Sequence, residues 1–228
     1  MSSLSVIVPV YNEERFLSES LNRLLASGDV DEIVISDDGS TDRSRDIAEE
    51  YVEKHSKMKL VFSEKNTGKG GALTLAIDKV SSDFVTIHDA DLEYFPEDFG
   101  LMYQKIKNNP DSLILGSRFI GDLERKNVYL RTRVANKLLS LFFSLVYFKK
   151  VTDIATCYKM CSKKHFKELD LIEKGFSVEV EIVAKFLKSS RELFEVPIKY
   201  HGRSYEEGKK ITFIDGLKYI IKTVKYRI

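Results

Sequence analysis

The sequence predicts a doubly wound α/β fold, and three observations carry that expectation. Short apolar runs alternate with helix-like stretches through the first half of the chain. Two of the runs, at 4–10 and 84–88, are almost continuously apolar or β-branched, as strands buried on both faces of a parallel sheet are. The stretches between the runs repeat apolar residues at three- and four-residue steps, which marks amphipathic helices.

In order, strands are expected at 4–10, 32–36, 60–63, 84–88 and 113–116, with helices at 13–26, 41–55, 70–80 and 96–108. Ser40, Thr41 and Asp42 are the residue types that start a helix, and Pro110 is a stop. Beyond Arg118 the pattern loosens. It still suggests helices at 130–148, 163–171, 177–188 and 211–226, and strands at 157–161 and 193–200. No repeat or low-complexity linker divides the 228 residues, so one domain, 1–228, is expected, long enough to bury its own core.

Charge narrows the function classes. The net charge of +1 argues against a general nucleic-acid binder. Residues 122–150 hold seven Lys/Arg against two acids, and residues 199–228 hold eight against three. Each stretch therefore carries +5, leaving −9 for the rest of the chain. Both basic stretches are rich in large apolar residues, which suits an anionic membrane surface; two amphipathic helices with solvated basic faces is the plainer alternative. Cys157 and Cys161 are too few for a disulfide framework or a cysteine zinc site, and are expected as reduced buried thiols of a cytoplasmic protein. The N-terminus MSSLSVIVPV has no basic leader, so no signal peptide is expected. His55, His88, His165 and His201 are scattered, without metal-ligand spacing.

Ligands of a doubly wound sheet gather beyond the carboxyl ends of its strands. There the run 84–88 passes into Asp89-Ala90-Asp91-Leu92-Glu93. In extended chain, Asp89 and Asp91 point to one side, where like charges repel unless a cation lies between them. An oxygen-only donor set favours Mg²⁺ or Mn²⁺ over zinc, with substrate phosphates completing the shell. A polar turn capping the next helix is the bland alternative. The run 32–36 passes into Asp37 and Asp38, suited to a nucleobase, a ribose or a helix cap. After the first run stands Pro9-Val10-Tyr11-Asn12-Glu13, without the Gly-x-Gly-x-x-Gly of dinucleotide folds. Gly68-Lys69-Gly70-Gly71 opens a helix but does not match a P-loop.

Together these motifs resemble the family 2 glycosyltransferases: Pro9-Val10-Tyr11-Asn12-Glu13, Asp37-Asp38-Gly39-Ser40-Thr41-Asp42, Asn66-Thr67-Gly68-Lys69-Gly70 and Asp89-Ala90-Asp91, in that order. Gly116-Ser117-Arg118, the segment 153–159 and Arg203 to Lys210 resemble a narrower group, the polyprenol-phosphate (dolichol-phosphate) mannosyl- and glucosyltransferases. The resemblance implies a GT-A fold, a Rossmann-like, mostly parallel sheet with helices on both faces. Residues 1–118 would bind nucleotide sugar, and 119–228 would face acceptor and membrane. It also implies that Pro9, Tyr11 and Glu13 hold the nucleoside, that Ile35 and Asp37, with Asp38 adjoining, lie beside the base, and that Ala90 lies near sugar or ribose. Asp89, Asp91 and Glu93 would be ligands of Mg²⁺ or Mn²⁺, and Arg118, Arg203 and Lys209 would contact phosphates, with Lys210 an alternative to Lys209. Asp89, Asp91 and Arg203 would carry the catalysis.

The reaction implied is transfer of a hexose from a nucleotide diphosphate sugar, of GDP-mannose or UDP-glucose type, to a polyprenyl or dolichyl phosphate. Stabilising the departing diphosphate is its electrostatic task. A phosphate acceptor is already largely dianionic at neutral pH and needs no general base. Many relatives that glycosylate hydroxyls carry a Glu-Asp pair in the acceptor half. This chain has Glu179 and Glu181 instead, expected on the exposed face or first turn of a helix. The apolar stretch 138–148 is too short to span a bilayer, so an interfacial helix and a buried core helix are both open. In 211–226, Ile211, Ile214, Leu217, Ile221 and Val224 form one stripe. With the chain ending at Ile228, without an anchoring helix, peripheral binding to the cytoplasmic face of a membrane is expected, with a membrane-anchoring partner subunit as a possible companion. Three rivals stand beside this reading: transfer to a sugar or protein hydroxyl, a sugar nucleotidyltransferase, and a non-catalytic nucleotide-sugar binder. The assignment requires that Asp89 and Asp91 face a cleft and are not already neutralised by lysines of the same fold.

Overall fold

The computed structural model describes residues 2–127, 129–203 and 213–228. Lys209, Lys210 and Ile211, singled out above, lie outside these. The elements follow the expected alternation: β1 (Leu4–Val10), α1 (Leu17–Ala26), β2 (Glu32–Asp37), α2 (Ser44–Lys54), β3 (Met58–Phe62), α3 (Lys69–Ile77), β4 (Phe84–Ile87), α4 (Phe99–Lys107) and β5 (Leu113–Ser117). Then come β6 (Arg125–Lys126), α5 (Leu130–Tyr147), β7 (Lys159–Ser162), α6 (Lys163–Glu168), α7 (Val178–Lys188), β8 (Leu193–Pro197), β9 (Tyr200–His201) and α8 (Phe213–Arg227). Several helices start later than the periodicity suggests. Asp42, expected inside α2, instead accepts from the backbone N–H of Ser44 at 2.9 Å and precedes the helix.

Seven strands form one sheet in the order β3-β2-β1-β4-β7-β5-β8. Only β7 runs antiparallel, against both β4 and β5. The β2 and β5 side chains are buried throughout, as covered parallel strands require. The chain reverses its winding between β1 and β4, which pair directly, so the crevice of the sheet opens where these two strands end. This is the mostly parallel, Rossmann-like sheet of a GT-A fold.

The second half enters this frame through β7 and β8 and is held together within itself by two further devices. A two-stranded ribbon pairs Arg125 with Tyr200 and Lys126 with His201. Helix α5 packs against α8, where the Tyr147 hydroxyl donates to the Thr223 carbonyl at 3.4 Å. Residues Ser140, Phe143 and Tyr147 are the buried face of α5. Its other face stays bare: Leu130, Val134, Leu138, Leu141, Leu145 and Phe148 are all exposed, Leu138 by 60% and Leu145 by 64%. The stretch 138–148 is thus half core and half surface. Ile214, Leu217, Ile221 and Val224 of α8 are exposed as well. No helix among the described residues is long and apolar enough to cross a membrane.

Candidate active site

The loops after β1, β2 and β4 meet at the crevice. Asn12 takes a positive φ of 52°, a conformation its short polar side chain tolerates. That turn lets its carboxamide oxygen accept from the Thr41 N–H at 2.8 Å. The Glu13 N–H donates to Ser44 Oγ at 2.8 Å, so the first two loops are knit together. After β4 the acidic loop does not stay extended as expected. Leu92 has φ 64°, and the chain folds back so that Asp91 Oδ1 accepts from the Glu93 N–H at 3.1 Å.

Each acid of this loop has a cationic or polar partner. Lys69 Nζ, at the start of α3, lies 2.7 Å from Asp89 Oδ1 and 2.7 Å from Glu179 Oε1. Arg203 bridges the site, with Nη2 3.0 Å from Asp91 Oδ2 and Nη1 3.3 Å from Glu13 Oε2. Glu93, expected to bind metal, anchors the chain leading to that arginine instead. It accepts from the Tyr200 hydroxyl at 2.6 Å and from the Arg203 N–H at 2.6 Å.

The electrostatics make the two aspartates unequal. Burial opposes charge on Asp89, but Lys69 beside it holds its carboxyl below the usual carboxylate range. Burial, then the neighbouring Glu93 and Asp89, push Asp91 up to about 7, against the pull of Arg203. The condition set from the sequence therefore fails for Asp89, which a lysine of the fold already neutralises. It does not fail in the same way for Asp91. Among the described residues, Asp89 and Glu179 contact Lys69, Glu179 also contacts Lys159, and Glu13 and Asp91 contact the Arg203 guanidinium. No cluster of three His, Cys, Asp or Glu side chains that could hold a metal ion occurs among the described residues. The site fits a divalent cation only as Mg²⁺ is often held, by one or two carboxylates with substrate phosphates supplying the rest.

The other expected residues are placed unevenly. Tyr11 is exposed at the crevice mouth and Glu13 is buried beneath it. Pro9 sits in β1 opposite Ser36 of β2. Ile35 and Ala90 are core residues, able to offer a ligand only their backbone. Asp37 is buried and accepts from Arg45 Nε at 2.9 Å and the Ser40 N–H at 3.2 Å. Asp38 organises the glycine loop, accepting from the backbone N–H groups of Thr67 at 2.9 Å and Gly68 at 2.6 Å. Arg118, expected on phosphate, lies buried against Asp153 in a two-pronged pair of 2.7 and 2.8 Å, with Tyr94 and Tyr200 around it. Lys209 falls outside the described residues.

Comparison with known proteins assigns the chain. Residues 5–170 match the model of "Glycosyl transferase family 2". The chain is a family 2 glycosyltransferase. Among similar members of that family is a UDP-N-acetylglucosamine–dolichyl-phosphate N-acetylglucosaminyltransferase of Methanococcus voltae, 30% identical over 93% of this chain and 91% of the relative. The dolichol-phosphate mannosyltransferase of Pyrococcus furiosus is 28% identical over 98% of this chain. The glycosyltransferase spans 64% of that relative's length, and 52% of a low-salt glycan biosynthesis hexosyltransferase of Haloferax volcanii. In fold it is similar to glucosyl-3-phosphoglycerate synthase of Mycobacterium tuberculosis, solved with Mn²⁺, UDP-glucose and phosphoglyceric acid. There the TM-score is 0.74, at 17% identity over 99% of this chain and 80% of that one.

Sequence reasoning placed Glu179 and Glu181 of this glycosyltransferase on the exposed face or first turn of a helix; both stand in the first turn of α7, and both are buried there. The signal was available: Val178, Val180, Ile182, Val183, Ala184 and Phe186 spread around more than half of α7, and Glu179 falls within their arc. Lys69 was quoted within its motif but read only for its glycines.

Proposed function

We propose that the chain transfers a hexose from a nucleotide diphosphate sugar, of GDP-mannose or UDP-glucose type, to a polyprenyl or dolichyl phosphate at a membrane surface, with inversion. One observation carries this reading. A cleft of about 450 Å³, lined by Phe119, Arg125, Asn127, Tyr129 and Arg133, opens where the bare apolar stripe of α5 begins. Two guanidinium groups beside a lipid-like surface suit an anionic headgroup on an apolar chain. The same ribbon that holds Arg125 holds Tyr200, and Tyr200 holds Glu93 beside the donor acids.

The division of labour follows from the geometry. Arg203, already spanning Asp91 and Glu13, would turn to the diphosphate as negative charge develops on it. A Mg²⁺ or Mn²⁺ ion would be held by Asp91, with Asp89 joining it only by turning one carboxylate oxygen away from Lys69, and would supply Lewis-acid stabilisation of that same leaving group. Asp38 fixes the glycine loop under the nucleotide, and Tyr11 offers a face at the crevice mouth. A phosphate acceptor, with a second pKa of roughly 6, arrives ready to attack. That agrees with Glu179, whose two carboxylate oxygens face Lys69 and Lys159. Transfer to a sugar or protein hydroxyl would need a general base.

The test is a panel of labelled nucleotide sugars with a short-chain polyprenyl phosphate and Mn²⁺ or Mg²⁺. Label moving from one donor into chloroform is the expected result. Label transferred only to a water-soluble sugar or protein would overturn the acceptor assignment.

A further inference from the structure

Behind the donor acids runs a chain of alternating charge that the transfer reaction as described does not use. Asp89 contacts Lys69, Lys69 contacts Glu179, and Glu179 contacts Lys159, whose ammonium also donates to the Thr156 carbonyl. The four side chains come from the loop after β4, the first turn of α3, the first turn of α7, and β7. Glu179 is 2% exposed and Lys159 1%. Burying such groups is costly unless each is paired, and apolar residues of similar volume would fill the space as well or better. Stability alone therefore gives little reason for four charges here.

We propose that Lys69, Glu179 and Lys159 are positioning residues that hold the Asp89 carboxylate in one orientation and fix how much of the Lys69 charge it receives. The proposal rests on Asp89 serving donor and metal binding, and not on the identity of the acceptor. The sign pattern gives it content. Removing the Glu179 charge lets Lys69 settle wholly on Asp89 and leaves the buried Lys159 ammonium uncompensated, one positive charge in excess along the relay. Removing the Lys159 charge lets Glu179 draw Lys69 away from Asp89. Removing both restores neutrality, with the Asp89–Lys69 pair intact. A purely structural ion pair predicts that the second substitution restores Tm alone; the relay predicts that it restores nucleotide affinity and donor KM as well.

The test compares E179Q, K159M and E179Q/K159M in the full chain. Thermal melts show which variants are folded. Calorimetric titration with GDP–Mn²⁺ and UDP–Mn²⁺ gives Kd, and steady-state transfer gives kcat and KM separately. Substitution of groups that orient a metal-binding side chain lowers affinity or activity by roughly 10–100-fold. Such a loss is expected for each single variant in Kd and in donor KM, with at least a tenfold recovery in the double. Single variants within threefold of wild type, or a double weaker than both, would overturn the relay. If E179Q does not fold, K159M against the double carries the same comparison. Failure of the wild type to bind either nucleotide would instead strike the donor-site reading of Asp89.

Discussion

Arg118 and Asp153 offer the sharpest separation between a structural and a ligand-binding role. The Asp153 carboxylate is fully buried and takes three bonds from Arg118, from its backbone N–H at 3.0 Å and from its guanidinium at 2.7 and 2.8 Å. Asp153→Asn keeps the shape and removes the charge, leaving a buried guanidinium unneutralised. Breaking one partner of such a pair costs about 3–5 kcal/mol. At ~2–4 °C per kcal/mol for a chain of this size, Tm should fall by roughly 6–20 °C. Replacing both partners with apolar residues, R118M/D153L, should recover most of that, because no charge is then stranded. Differential scanning calorimetry of the three proteins, with donor KM for each, reads both roles. A D153N shift below about 3 °C, or an R118M/D153L double that is stable but loses donor affinity tenfold or more, would refute the structural account and return Arg118 to the phosphates.

Further outcomes follow from single features. Gly70→Ala would place a Cβ 1.8 Å from the Glu173 carbonyl oxygen, so a loss of about 1–3 kcal/mol in chemical denaturation and weaker nucleotide binding are expected, whereas Gly175→Ala, with nothing within 4 Å, should leave both unchanged. Glu32 is buried, which works against its charge, but Lys59, Ser5 and Ser81 hold its carboxyl at about 2 rather than 4.5. A depressed carboxyl stabilises the fold above its unfolded pKa and loses that contribution as pH falls from 4.5 towards 2, so the stability gap between wild type and E32Q, at most ~3 kcal/mol, should close over that window in urea titrations. Leu138→Glu with Leu145→Glu on the bare face of α5 should abolish flotation with anionic vesicles at low salt while leaving Tm within about 2 °C, since both side chains are exposed. Wild-type protein that stays in the lower fraction would remove the membrane from the account.

The order of the elements and the position of the acids were legible because both rest on short-range patterns. The five leading strands fall within two residues of the runs that predicted them, since a parallel strand covered on both faces has no polar side to confuse its reading. What lay hidden was pairing across the chain. Nothing near Asp89 in sequence announces Glu179, which reaches it only through Lys69 and the docking of α7. Arg118 illustrates the converse: its motif suggested a phosphate, but Asp153, 35 residues on, meets it first. The contacts of Glu93 were hidden because Leu92 turns the chain through a positive φ, a choice that no local propensity favours for leucine. The face of α5 was undecidable from its own residues, because only the arrival of α8 determines which side is covered.

The seating of the glycine loop ties the two ends of the chain together mechanically. Its Gly70 N–H donates to the Lys174 carbonyl at 2.6 Å, and the neighbouring Glu173 carboxylate is gripped by Lys222 at 2.6 Å and Tyr226 at 2.8 Å. The last described helix is therefore a distant buttress of the glycine loop. Trimming it, or fusing a bulky tag to it, would be felt first by the loop that opens α3.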